Sequence, residues 1–358
     1  MRKACFVCET LTQVFNAITI KIQLNIDGDL YINDTLRNSK ILCEKIEKEH
    51  IFNNVYALEQ RKLWDKSKSQ FGRYIYAFLG YFNVKTIIEK NFPHIGIYSM
   101  LFIGNNEILN RFLYCYFKKY TKAKIYYLEE GVGSYTNDCF RLSTMDKIAR
   151  RFIVGRKSLE LDYELFLYSP DLYNLLNKSH DRIIHEIHPL PIKYRSNIKR
   201  IYGVPDDYHV ENRVILFDTV RDELFFSDNG DCYDKIMRLF VDNIEDIIVK
   251  PHPRDIKQYF DCMYYKYVDI PFEVLCFIDD FSNKVLITET SSAVFIPFLM
   301  FKQSPVVVMF YRAMKGYDKH YSDDFEKLLE CLRIVYKDNG NVYIPNDYDE
   351  CRKLVDIL

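Results

Sequence analysis

Three pieces at the start of the chain decide the fold: Lys3-Ala-Cys-Phe-Val-Cys8, the stretch from Thr12 to Asn25, and Asp29-Leu-Tyr-Ile32. The outer two are short β-branched and aromatic runs, which read as strands. The stretch between them has helical length and spacing. Strand, helix and strand in that order predict a parallel pair with a helix packed on it. The alternation continues outward. Tyr74–Asn91 reads as a helix, Ile95–Phe102 as a strand, Glu107–Tyr120 as a helix, and Ala123–Leu128, Tyr163–Tyr168 and Ile183–His188 as strands.

A Pro- and Lys/Arg-rich stretch from His188 to about Asp207 then has linker character. Beyond it the pattern restarts. Val214–Phe217, Asp246–Lys250, Lys284–Thr288 and Pro305–Phe310 read as strands. Asp231–Val241, a short helix around Val274–Phe277, Ser292–Phe301, Asp323–Leu332 and the tail from Tyr348 read as helices. The expected architecture is α/β: residues 1–190 as one Rossmann-like domain, 191–210 as linker and 211–358 as a second, with parallel sheets facing a central cleft. Ligands of such sheets sit outside the carboxyl ends of the strands.

Composition narrows the class. A chain of 358 residues has room for about two domains. Its 48% hydrophobic and 28% charged residues argue against long disorder. Lys and Arg number 49 against 50 Asp and Glu, so no basic excess points to nucleic acid. No apolar stretch reaches the ~18–20 residues of a membrane span. Glu9 interrupts the first apolar run too early for a signal peptide. The ten cysteines then read as free thiols of a reducing cytosol. Cys5 and Cys8 form a CxxC with no second pair at zinc-ligand spacing, which favours a structural role.

Four segments hold chemistry at predicted strand ends. In Tyr126-Tyr-Leu-Glu129-Glu130-Gly131-Val-Gly133, a strand runs into two carboxylates and then glycines. That pattern suits a general base, and it also suits a solvated acidic turn. In Ile247-Ile-Val-Lys250-Pro-His252-Pro253-Arg254, prolines flank a histidine among cationic neighbours, an arrangement suited to phosphate. The other histidines, His50, His94, His180, His185, His188, His209 and His320, lack that context and read as surface or linker residues. In Val285-Leu-Ile-Thr288-Glu-Thr-Ser291-Ser292-Ala, a strand passes through hydroxyls into a helix. The serines read either as helix caps or as an anion site. In Asp269-Ile-Pro-Phe-Glu273, the carboxylate reads as a ribose ligand or as an acid complementing a helix start.

Taken together, the segments resemble the bacterial sialyltransferases, which share an acidic motif ending in Gly, a His-Pro motif and a paired-Ser motif in this order. Here these are Glu129-Glu130-Gly131, His252-Pro253 and Ser291-Ser292, with Glu273 between the last two. The N-terminal Phe6-Val-Cys8-Glu-Thr10-Leu-Thr-Gln13-Val-Phe-Asn16-Ala17 is similar to glycosyltransferase family 52, the lipooligosaccharide sialyltransferases. The resemblance implies a GT-B fold, with the acceptor on the N-terminal domain and the nucleotide sugar on the C-terminal one. It implies CMP-sialic acid as donor and inverting transfer with no metal and no cofactor. Glu130 is then the base on the acceptor hydroxyl, and His252 meets the leaving phosphate. Ser291 and Ser292 hold that phosphate, Glu273 binds ribose and Lys250 lies near the cytosine. Gln13 and Asn16 face the donor; Glu129, Gly131, Pro253 and Arg254 support the site. Relatives often have Asp where this chain has Glu130.

The chemistry is consistent with these residues on independent grounds. A phosphate leaving a tertiary anomeric carbon needs a base and charge stabilisation on the departing oxygens. Asp279-Asp280 and Asp323-Asp324 lack the spacing of a metal-holding DxD motif. The expected partners are a nucleotide-sugar donor and a galactoside or surface-glycan acceptor. A cytoplasmic enzyme touching the inner membrane face through a lipid-linked acceptor, and a homodimer, are both compatible with the sequence. Two other readings stay open. One is a transferase using another CMP-nonulosonic acid or a hexose donor. The other is a non-catalytic nucleotide- or glycan-binding protein of polysaccharide assembly.

Overall fold

The computed structural model describes residues 3–59, 78–92, 94–105, 107–135, 148, 151, 162–177, 182–220, 229–255, 257–316, 323–336 and 341–358. The chain divides into two compact units, Met1–Tyr202 and Gly203–Leu358.

In the first unit, seven parallel strands form one sheet. They are β1 (Lys3–Cys8), β2 (Asp27–Asn33), β3 (Asn54–Leu58), β4 (Met100–Ile103), β5 (Lys124–Leu128), β6 (Glu164–Leu167) and β7 (Ile184–Glu186). Their order is β3-β2-β1-β4-β5-β6-β7, so the direction of winding reverses between β1 and β4. The central strands are apolar throughout because helices cover both faces of a parallel sheet. Phe6 stacks on Phe102 at 4.4 Å between ring centroids, and Phe102 stacks on Tyr126 at 4.7 Å. Register places these three rings side by side across β1, β4 and β5. The abundance of Phe and Tyr thus has a structural use as a cross-strand ladder.

The second unit has five parallel strands: β8 (Val214–Phe217), β9 (Ile247–Lys250), β10 (Val285–Thr288), β11 (Val306–Met309) and β12 (Val342–Tyr343). Their order is β12-β11-β10-β8-β9, with the reversal between β8 and β10. The core here gathers Leu216, Tyr233, Phe240, Val249, Ile287 and Phe310. The expected α/β architecture of two parallel sheets is therefore present.

Several elements differ from the sequence expectation. The stretch read as linker contains a helix, Arg195–Tyr202. It buries Ile198 and Ile201, and Asn197 and Arg200 both donate to the Glu49 carboxylate at 2.7 Å. Apolar spacing and one ion pair there outweigh the prolines upstream. Of Ile95–Phe102, only the end is strand. Ile95–Ile97 is a 3₁₀ turn that follows His94, whose φ is 60°. The helix Ser39–Lys48 and the edge strand β3 have no counterpart in the sequence reading. Residues 74–77, expected to start a helix, lie outside the described residues, as do His180 and His320; Val84–Asn91 is helical. Among the described residues, no helix is long and apolar enough to cross a membrane. The described cysteines are free, and burial pushes the Cys5 and Cys8 thiols well up.

Candidate active site

The carboxyl ends of β1, β4 and β5 place three short segments side by side: Glu9, Gly104-Asn105 and Glu129-Glu130. The two carboxylates of the Glu129-Glu130 motif are sorted by the alternation of an extended chain. Glu129 turns inward and is 4% exposed. Its Oε2 accepts from the Tyr135 hydroxyl at 2.5 Å and the Tyr168 N–H at 2.7 Å. Glu130 is half-buried, and its N–H donates to Ser134 Oγ at 2.7 Å. Gly131 then takes φ 104°, which sends the chain into the 3₁₀ turn Val132–Tyr135. The acidic motif is thus one anchor followed by one available carboxyl group.

Burial raises the Glu130 carboxyl to about 7, with repulsion from Glu9 adding to it. The amides of Gln13 and Asn105 pull the other way. Glu9 itself is buried at the end of β1 and is also pushed up to about 7, mainly by burial. Its two oxygens accept from Asn33 Nδ2 at 3.2 Å and Asn105 Nδ2 at 2.7 Å. Asn105 Oδ1 takes the Glu107 N–H and Asn110 Nδ2, which turns its NH₂ toward the carboxyl groups.

Gln13 and Asn16 lie on the helix Leu11–Leu24, capped by Thr10, and both are buried. Asn16 donates to the Glu129 carbonyl at 2.7 Å and accepts from the Tyr168 hydroxyl at 2.8 Å. It ties the β5 loop to the helix. Gln13 Oε1 accepts the Glu9 N–H at 2.7 Å. Its Nε2 closes no hydrogen bond of good geometry, yet it lies near enough to Glu130 to favour the charged carboxylate. Gly104 makes room for that amide. A Cβ on Gly104 would sit 2.3 Å from Gln13 Nε2.

The second sheet places cationic and hydroxyl groups at its own carboxyl edge. Lys250, the last residue of β9, is buried, and burial pushes it down to about 8 while the Glu273 carboxylate pulls it back up. Its Nζ lies 5.7 Å from the centre of the Tyr265 ring. Two residues on, His252 Nδ1 accepts the Arg254 N–H at 3.1 Å. That bond leaves Nε2 as the donor of a neutral ring. Pro253 and Arg254 are exposed. Glu273 occupies the first turn of the helix Phe272–Ile278, half-buried.

After β10, the Ser291 N–H donates to Thr288 Oγ1 at 3.0 Å, and Ser291 Oγ accepts the Ala293 N–H at 3.3 Å. Ser291 is therefore a cap, and Ser292 is exposed beside it. The expected single helix over Ser292–Phe301 divides into a 3₁₀ turn, Ser292–Phe295, and a helix, Ile296–Phe301. Pro297 in the first turn of the latter starts it afresh. Lys250 and Thr288 are both level with Phe217 of β8. The loops of His252 and Ser291 thus rise from one edge, about two strand spacings or ~10 Å apart.

Glu9 and Asn105 were not among the residues singled out from the sequence. Each follows a strand in the way Glu130 follows β5, and that position was the available signal. Among the described residues, no group of three or more His, Cys, Asp or Glu side chains is arranged to hold a metal. Asp279 accepts the Val210 N–H at 2.8 Å and Asp280 accepts the Ser282 hydroxyl at 2.7 Å.

No protein-family model and no curated protein sequence matches the chain. Solved structures do. The glycosyltransferase SnogD from Streptomyces nogalater matches at TM-score 0.50 and 11% identity, over 100% of this chain and 92% of that one. LpCGTa, solved in complex with UDP, matches at TM-score 0.56 and 8% identity, over 99% of this chain and 89% of that one. The fold is the GT-B fold of glycosyltransferases, with one seven-stranded and one five-stranded parallel sheet. Neither match points to sialyltransferases or to family 52.

Proposed function

We propose that the protein is a glycosyltransferase that moves sialic acid from CMP-sialic acid to a hydroxyl of a galactoside or surface glycan, with inversion and without a metal. The observation that carries this reading is the edge of the five-stranded sheet. A buried ammonium at Lys250, a histidine whose Nδ1 accepts the Arg254 N–H and the Ser291-Ser292 turn all rise from it. That set suits one phosphate and its nucleoside. Lys250 and Glu273 take the base and ribose end; His252, Ser291 and Ser292 take the phosphate. The N-terminal unit supplies the base. Glu130, with its carboxyl near 7, accepts the proton of the acceptor hydroxyl as the glycosidic bond forms. The C–O bond to the nucleotide breaks with its electron pair on the phosphate, and His252 stabilises that oxygen by donating a hydrogen bond to it. Metal independence rests on the engagement of Asp279 and Asp280 in local hydrogen bonds and on the single phosphate of the donor.

The test is release of CMP from CMP-sialic acid, with and without a galactoside acceptor, run beside UDP- and GDP-sugars. Acceptor-stimulated CMP release is expected. Turnover only with a nucleoside-diphosphate sugar would replace the donor. That second reading has one supporting observation, the UDP held by the similar fold of LpCGTa. Nucleotide binding without turnover would assign a binding protein.

A further inference from the structure

We propose that Glu9 is a positioning residue for Glu130: the two carboxyl groups hold a single proton between them at neutral pH, bridged by Asn105 and steadied by Gln13. This deepens the reading of Glu130 as the base and rests on it for its catalytic consequence.

The geometry begins with topology. Glu9 and Asn105 follow β1 and β4, the strands between which the sheet reverses, and Glu130 follows the next strand, β5. Such a reversal opens a crevice at the carboxyl edge where ligands bind. Two acids brought there would repel each other if both were ionised. The surrounding amides supply what a single negative charge needs. Asn105 Nδ2 is 2.7 Å from Glu9 Oε2, and the same amide interacts with Glu130. Asn33 Nδ2 holds the other Glu9 oxygen, and the Glu9 N–H holds Gln13 in place through Oε1. Gln13 Nε2 is fully buried and directed toward Glu130 with no bond of good geometry closed. A buried donor in that state costs stability unless something accepts from it. A reacting carboxylate, or the acceptor hydroxyl it activates, fills that need.

Among the described residues, the other charged or titratable groups facing the pair are Glu107, ahead of the helix Ile108–Tyr120, and the Cys8 thiol of β1. Glu107 adds negative charge, which favours retention of the shared proton. Both carboxyls rise to about 7. The pair therefore titrates in two coupled steps, with one proton held between them.

The experiment is a carboxyl titration by ¹³C NMR on the full chain labelled at glutamate, comparing wild type, Glu9→Gln, Glu130→Gln and Gln13→Leu. In the wild type, two resonances should titrate near 7, each lost in one of the Gln variants. Glu9→Gln should lower the Glu130 midpoint by about one pH unit or more, because it removes a like charge. Linkage requires the reciprocal result: Glu130→Gln should lower the Glu9 midpoint by a similar amount. Gln13→Leu should move Glu130 upward, the opposite direction, which simple loosening of the fold would not do. Wild-type resonances in the ordinary carboxylate range overturn the proposal, as does a Glu130 midpoint unmoved by Glu9→Gln. If Glu9→Gln fails to fold, the Glu130→Gln arm decides alone. CMP release by the same variants separates the two levels. Coupled titration with full turnover by Glu130→Gln keeps the pair and removes the base. Uncoupled titration with inactive Glu130→Gln keeps the base and removes the pair.

Discussion

At the edge of the seven-stranded sheet, the reactive groups are carboxyls sunk among side-chain amides. At the edge of the five-stranded sheet, one ammonium is sunk beneath a histidine and two serines on loops. Burial acts on both sets against their charge, raising Glu9 and Glu130 to about 7 and lowering Lys250 to about 8. The difference lies in what surrounds them. Glu130 has amide donors fixed by their own hydrogen bonds, whereas His252 Nδ1 and Ser291 Oγ each accept a backbone N–H two residues on. On the proposed reading, the first edge is prearranged for proton transfer, and the second presents donors that a bound anion would complete.

The largest effect should come from Glu130→Gln. Removal of a general base costs ~10²–10⁴-fold in rate. CMP affinity, measured by calorimetry, should stay within about twofold, since on this reading the nucleotide belongs to the other unit. Near-wild-type turnover would erase the division of roles between the two edges. His252→Ala should lower CMP affinity and turnover together, each by roughly 10-fold or more, as expected for loss of a charge-assisted phosphate contact.

The pH dependence sharpens the contrast. A base with its carboxyl near 7 is protonated below that value, so turnover should fall as pH drops through about 7. Lys250 loses its charge above about 8, so CMP affinity should fall as pH rises through about 8. Lys250→Met should weaken CMP binding by about 10-fold at neutral pH and abolish that alkaline limb. If the limb persists in Lys250→Met, the ammonium is not a nucleotide contact.

Glu129→Gln should leave most of the turnover intact but lower the melting temperature. The Tyr135 hydroxyl and the Tyr168 N–H both donate to one oxygen, which an amide can still supply, but as a neutral acceptor in place of a charged one. The cost should be about 1 kcal/mol. The smallest expected effect is that of EDTA, which should leave transfer unchanged; loss restored by Mg²⁺ or Mn²⁺ would favour a diphosphate donor.

The strand ends were the legible part of the sequence. Short apolar runs followed by Glu130, Lys250 or Ser291 stand out because buried parallel strands are continuously apolar and their loops are not. Edge strand β3 did not stand out, since only Leu58 of its five residues is buried. The helix Ser39–Lys48 buries four residues within a mostly polar stretch, so its pattern is weak. Arg195–Tyr202 was hidden by neighbouring prolines and cations, although its apolar residues meet the fold at a helical interval. Glu9 was the main omission at the site. Alone in the sequence it reads as a break in an apolar run, and its meaning depends on Asn105 and Glu130, which only the sheet order brings beside it.

Gly104 gives the first edge an unusual vulnerability. It touches no substrate in the scheme above, yet a single methyl group there would occupy the space of the Gln13 amide. On the proposed reading, Gly104→Ala would act on Glu130 from a distance, through the displaced Gln13 amide, with no ionisable residue substituted. For an experimenter, the position offers a variant that displaces the Gln13 amide while the charge of the chain stays unaltered.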